Sequence, residues 1–279
     1  MSFIVFCAVV LAAMLHAAWN AVAKSQSDKL LTMTALVFGS AFWGALVLPI
    51  TSAPHPQSYM YIVISIALHV GYQIVLQAAY KLGDLSLIYP ISRGTAPLIV
   101  TLFSIFVWQI NFEPVTILGV VAIILAVFCL GFTKNGSGGR DLKAVAFALM
   151  TACFIAAYSL VDGTGARLSG DPFGYYAWLT IANAVFFIPY VWMKKPVLIV
   201  RAFQQQKTIM FFGGLASFAA YAIVMWAFTQ APIAMVTALR ESSIMFAMMI
   251  GVFFFKEKFG RLKFAATVLT LLGMVLLRL

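Results

Sequence analysis

Charge is what this chain has least of. Only 9% of its 279 residues are charged and eight are acidic, against about a quarter charged in ordinary soluble domains, which excludes a water-soluble fold of this size. Cysteine is scarce too. Cys7, Cys129 and Cys153 lie in apolar runs, are odd in number and lack metal-ligand spacing, so neither a disulfide framework nor a zinc site is expected. Nucleophile elbows of the GxSxG type, HExxH helices, Walker A loops and Cys/His clusters are all missing, so an enzyme, a cofactor and a bound metal are not expected. Without an ATP-binding segment, any transport must be driven by gradients.

What is present is apolar: 63% of residues, with a mean hydropathy of +1.02. The net charge of +10 sits in short loops between apolar spans, where lysine and arginine act as topology anchors, so a nucleic-acid partner is not expected. The opening stretch, Ser2 to Ala23, ends in small residues like a signal peptide. It lacks a basic leader and carries polar residues along one face, so it reads as a retained helix.

About 20 apolar residues span the hydrocarbon core, and ten segments qualify. They run Phe3 to Lys24, Leu31 to Ile50, Tyr59 to Tyr80, Leu85 to Trp108, Pro114 to Phe132, Leu142 to Val161, Phe173 to Met193, Ile209 to Thr229, Ile233 to Phe255 and Leu262 to Leu277. Breakers separate them at Ser52 to Gln57, Lys134 to Gly139, Ser169 to Pro172, and Pro232. Five spans precede the Gly-rich Lys134 to Gly139 linker and five follow it. The expected organisation is therefore an all-α integral membrane protein of two five-helix repeats, residues 1–133 and 142–279, joined by a linker at 134–141. An odd number of crossings per repeat inverts the second copy, and substrate sites of such folds cluster near the bilayer midplane.

Arg93 is the residue that demands a reason. It lies between Pro90 and Pro97 inside an apolar run, where a guanidinium costs about 2.5 to 3.5 kcal/mol, so the default reading is functional and a partner is required. Laying Ala78 to Ile99 over Met225 to Phe246 brings Arg93 to the Arg240–Glu241 step and offers Glu241 as that partner. A second overlay, AAWNAV at Ala17 to Val22 on AAYSLV at Ala156 to Val161, agrees with the repeat.

Polar stripes at four-residue spacing share one helix face and must look onto protein or water. The first helix carries His16, Asn20 and Lys24 with Trp19 beside them; the third carries Ser65, His69, Gln73 and Gln77, bordered by Tyr72 and Tyr80. Tyr89 and Arg93 on the fourth, Tyr158 and Asp162 on the sixth, Tyr221 and Trp226 on the eighth, and Glu241 on the ninth complete the set. Helices one, three, four, six, eight and nine are expected to line a central polar cavity. The expected substrate-binding residues are His16, Trp19, Asn20, His69, Tyr72, Gln73, Gln77, Tyr89, Arg93, Tyr158, Tyr221, Trp226 and Glu241. Asp84 and Asp162 are placed near span ends, which leaves Glu241 as the carboxylate for proton uptake; Glu241 and Lys24 are the coupling candidates. Arg240 and Glu241 are consecutive, so one of the two is expected to face a loop or the membrane surface. Set against these readings, His16 and His69 can serve helix–helix hydrogen bonds, Tyr72 and Trp226 can be packing or belt residues, and Arg93–Glu241 can be a purely structural pair.

The HAAWNAVAK run (His16 to Lys24), YPISRGTAPL on the fourth helix, AYSLVDG (Ala157 to Gly163) and FFKEKFG (Phe254 to Gly260) resemble the drug/metabolite transporter superfamily, of the type with two EamA-like domains. The resemblance covers the whole chain and implies alternating access around a central cavity. It also implies cytoplasmic termini. Fourteen lysines and arginines follow odd-numbered helices and two follow even ones, so the positive-inside rule puts both termini outside, and this reading follows the charges. The glutamate usual after a fourth helix is absent near Gln109 and Ile110, whereas Glu257 is present in the second half.

The expected function is a gradient-driven transporter of small polar or zwitterionic, amino-acid-like metabolites, working by export or exchange, multi-pass in the plasma (inner) membrane. Arg93 would engage an anionic group. The alternatives are an organic-cation carrier using Glu241, and a lipid-headgroup flippase or membrane-embedded lipid enzyme. Expected partners are the substrate, the lipid bilayer and, as an open alternative, a second copy in a homodimer.

Overall fold

The computed structural model describes residues 1–82, 85–131, 142–255 and 260–279, with side chains except at 22–25, 85–87, 89, 90, 130, 131, 254 and 255. Among them every regular element is helical: α1 (Phe3–Ser25), α2 (Lys29–Val47), α3 (Tyr59–Leu82), α4 (Leu85–Phe106), α5 (Pro114–Gly131), α6 (Leu142–Leu168), α7 (Pro172–Lys194), α8 (Val197–Gln205), α9 (Gly214–Gln230), α10 (Ile233–Arg240), α11 (Ser243–Phe255) and α12 (Arg261–Arg278). Seven helical stretches among the described residues are long and apolar enough to cross a membrane, and Ile91–Phe106 and Pro114–Cys129 are shorter apolar helices. The chain is thus an all-helical, multi-pass membrane protein. The Lys134 to Gly139 linker, Asp84 and Glu257 lie outside the described residues.

Two compact units make up the chain, and each takes residues from both sides of that linker. The first comprises Met1–Val10, Gly71–Leu160 and Ala231–Leu279; the second comprises Leu11–Val70 and Val161–Gln230. In the first unit α5 packs along α12 and α4 packs on α5 and α10. The α5–α12 contact is close because it is made between glycines, a Cβ on Gly273 coming within 2.8 Å of the Gly119 carbonyl oxygen. Small residues of this kind let helix backbones approach where lipid supplies no hydrophobic drive.

In the second unit α2 is the central element, packed on α7, α8 and α9. Leu31, Leu36, Phe187, Val191 and Leu198 form its buried apolar core. At its polar end the loop before α3 is tied to the turn before α7. Asp171 caps α7 by accepting from the Phe173 and Gly174 amides through Oδ1, at 2.9 and 3.2 Å, and its Oδ2 accepts from the Ser52 amide at 2.9 Å. One carboxylate therefore stops a helix and anchors a loop. Asp171→Ala is expected to cost about 1–2 kcal/mol, whereas Asp171→Asn keeps most of the cap; thermal unfolding of the two purified variants checks this.

Three elements differ from the sequence reading. The sixth segment, expected to end at Val161, continues to Leu168 because Gly163 and Gly165 do not stop it. Gly165 instead receives the Tyr175 hydroxyl of α7 where a Cβ would stand. The segment Ile233 to Phe255 is two helices, α10 and α11, broken at Glu241–Ser242. The stretch expected as a loop after α7 contains α8, an amphipathic helix that buries Leu198 and Ala202 in the second unit's core.

Candidate functional site

The expected site residues fall in both units. Tyr72, Gln73, Gln77, Tyr89, Arg93, Tyr158 and Glu241 belong to the first unit, and His16, Trp19, Asn20, His69, Tyr221 and Trp226 to the second. The side chains of Tyr89 and Lys24 lie outside those described.

In the first unit Arg93, on α4, meets Glu241 at the α10–α11 break: Nε donates to Oε2 at 2.9 Å. Both side chains are buried, Arg93 5% and Glu241 3% exposed. The break has a local cause in hydrogen-bond pattern. The amides of Glu241 and Ser242 donate three residues back, to Ala238 and Leu239, and those of Ile244 and Met245 to Glu241 and Ser242, all between 2.9 and 3.1 Å. This is the tighter 3₁₀ spacing, which often marks a functional hinge in a helix.

One expectation is corrected at this turn. Arg240 and Glu241 are both buried, because the helix ends between them and Ser243 and the turn keeps both side chains inside. Arg240 stands within electrostatic range of Glu241, so among the described residues two guanidinium groups face that carboxylate. The hydroxyls of Ser242 and Ser243 are buried and make no hydrogen bond among the described residues. Nearby in the same unit, Ser92 of α4 donates to the Ala148 carbonyl at 3.0 Å, and Tyr72 meets Tyr158 edge-on with ring centres 5.7 Å apart. Gln73 is also buried, its Oε1 without a hydrogen bond among the described residues.

The second unit gathers a different group. Asp162 on α6 is fully buried; its Oδ2 accepts from the Tyr221 hydroxyl of α9 at 2.8 Å and lies 3.8 Å from Nε2 of His69 on α3. Placing Asp162 near a span end is the second correction, for α6 runs six residues past it. His69 packs edge-on against the Tyr221 ring at 5.9 Å, and Tyr176 of α7 packs on Tyr221 at 5.1 Å. Tyr175, fully buried on α7, interacts electrostatically with Asp162.

On α1, Asn20 Nδ2 donates to the His16 carbonyl at 2.7 Å, and His16 packs edge-on against Trp19 at 5.0 Å. Trp19 also packs on the apolar core of the second unit, and its indole N–H is buried without a hydrogen bond among the described residues. Trp226 is half-buried on α9. Sequence reasoning named Asp162 among the polar residues of the sixth helix but left it, with Tyr175, Tyr176, Ser242 and Ser243, out of the binding set. The usable signal was the run of polar residues on both sides of Glu241.

A buried ion pair, a broken helix and polar side chains within membrane-length apolar helices are features of multi-pass membrane proteins with a polar interior. Residues 142–279 match the EamA-like transporter family, which belongs to the drug/metabolite transporter superfamily. A solved structure titled "Crystal structure of protein" has the same fold, with a TM-score of 0.77 at 17% identity, over 99% of this chain and 95% of that one. No curated protein matches the sequence.

Proposed function

We propose that the protein is a gradient-driven secondary transporter of small polar or zwitterionic metabolites, built from two inverted five-helix repeats and ten crossings and working by export or exchange through alternating access. The carrying observation is the buried Arg93–Glu241 pair at the α10–α11 break, with Arg240 and the Ser242 and Ser243 hydroxyls around it. Guanidinium groups bind anionic groups through charge-assisted hydrogen bonds, and the buried Ser242 and Ser243 hydroxyls, without hydrogen bonds among the described residues, supply further donors. Helix breaks within membranes are tolerated where the backbone is enclosed by protein or lines a cavity, and they recur at transporter binding sites. Glu241 acts as the counter-ion that holds Arg93 when no substrate is bound.

The test is a thermal-shift screen of the purified full chain against metabolites grouped by charge, each protein read against its own ligand-free midpoint. Ligand that binds the folded state raises that midpoint by mass action. Carboxylate-bearing compounds are expected to stabilise the native protein, and Ser242→Ala with Ser243→Ala to weaken their binding about tenfold or more, the worth of hydrogen bonds to a charged group. A response confined to organic cations, unchanged in the serine variants, would overturn the reading.

A further inference from the structure

We infer that the His69–Asp162 pair is the proton-carrying site that couples transport to a proton gradient, taking up one proton from one side and releasing it to the other in each cycle. The inference rests on the transporter reading but uses residues that reading does not assign.

The geometry is that of a dyad. Nδ1 of His69 lies 3.0 Å from the Ser65 carbonyl oxygen and 3.1 Å from the Ser65 hydroxyl. A carbonyl only accepts, so this edge of the ring is satisfied when Nδ1 carries the hydrogen. The other edge, Nε2, faces Asp162 Oδ2 at 3.8 Å. That contact is attractive when a proton resides on one of the two partners, giving either imidazolium beside carboxylate or imidazole beside carboxylic acid. In both forms the pair is electrically neutral. Removing the proton turns a ring lone pair toward a fully buried anion, a state that burial opposes. The two states differ by one proton, which is the difference a coupling site must provide.

The groups that face the pair come from three helices. From α9 comes Tyr221, which donates to Asp162; from α7 come Tyr175, which interacts electrostatically with Asp162, and Tyr176, whose ring packs at a tilt against Tyr221; from α3 comes Tyr61, near Tyr175. Phenol hydroxyls donate hydrogen bonds but bring no positive charge. Arg167, further along α6, donates through Nε to the Phe228 carbonyl at 2.8 Å. His69 brings a basic side chain to within 3.8 Å of Asp162, and imidazole is a side chain that changes charge in the physiological range. Asp, Glu and His within membranes mark proton relays of pumps and transporters.

Two measurements on the full-length protein test this. Infrared difference titration needs no substrate: the native protein is expected to show a titrating buried carboxyl whose carbonyl stretch is missing in Asp162→Asn and whose midpoint moves by about one pH unit or more in His69→Gln. A titrating band retained in Asp162→Asn, or a midpoint unmoved in His69→Gln, overturns the assignment; the histidine variant decides alone if the aspartate variant does not fold. In reconstituted vesicles, Asp162→Asn is expected to lose at least tenfold in substrate accumulation driven by a pH gradient, and the transport that remains is expected to lose its dependence on pH. Undiminished gradient-driven accumulation overturns the coupling role. Absence of exchange by the native protein overturns the transporter reading instead, and leaves the titration to judge the dyad.

Discussion

Arg93→Gln is expected to lower stability by about 3–5 kcal/mol, the cost of leaving one member of a buried ion pair without the other. Glu241 is 3% exposed and accepts from the Arg93 Nε at 2.9 Å, so no water replaces the lost donor. Glu241→Gln is expected to cost a similar amount for the mirror reason. The double variant Arg93→Gln/Glu241→Gln removes both charges together, and neutral amides of similar size can bond each other, so it is expected to recover more than half of the summed loss. Residues in one ion pair are coupled in this way, whereas independent sites simply add. Thermal unfolding of the three variants closes the cycle. Additive losses would show that the pair contributes nothing as a pair. Arg240 gives the experiment a second edge: it stands near Glu241, so a loss in Arg93→Gln well below the expected range would identify Arg240 as the guanidinium that takes over.

That pair was legible in the sequence because an arginine in a long apolar run requires a counter-charge, and Glu241 was the carboxylate available inside the second half. The break that positions it was not legible. Leu239 to Ser243 contains neither glycine nor proline, and its departure from α-helix is a matter of hydrogen bonds reaching three residues back rather than four. Asp162 was misplaced for the opposite reason. Gly163 and Gly165 resemble a helix stop, but what a glycine does there depends on Tyr175, ten residues on, packing against Gly165. The polar stripe of α3 was read as one shared face, yet its members divide: Ser65 and His69 lie with Asp162 in one unit, while Gln73 and Gln77 belong to the other. Spacing predicts a shared face and says nothing about which neighbours that face will meet. Helix α8 escaped for want of length, since its apolar positions are too few to stand out between Lys195 and Lys207.

The second large effect is expected where two helices touch through their backbones. A Cβ at Gly39 of α2 would overlap the Met210 carbonyl oxygen, and one at Gly214 of α9 would come within 2.5–2.6 Å of the Gly39 backbone. The same contact is bonded by side chains on either side, Trp43 Nε1 donating to the Phe211 carbonyl at 2.9 Å and Ser40 Oγ to the Gly214 carbonyl at 3.4 Å. Those acceptors belong to a π-helical turn, Ile209–Gly213, and to the first residue of α9, so the wider turn and the glycine contact occupy one place. A side chain at Gly39 meets main chain rather than a flexible tip, and the helices must move apart. Gly39→Leu is therefore expected to cost at least the roughly 1–3 kcal/mol of ordinary overpacking, and more because both Trp43 and Ser40 lose their acceptors with the separation. Gly39→Ala tests the mechanism against mere bulk: a single methyl already overlaps the Met210 oxygen, so it should produce most of the loss. The measurement is the fraction of detergent-extracted protein that elutes as one folded species, with the unfolding midpoint of that fraction. A Gly39→Ala variant as stable as the native protein would show that α2 and the π-helical turn do not pack backbone to backbone.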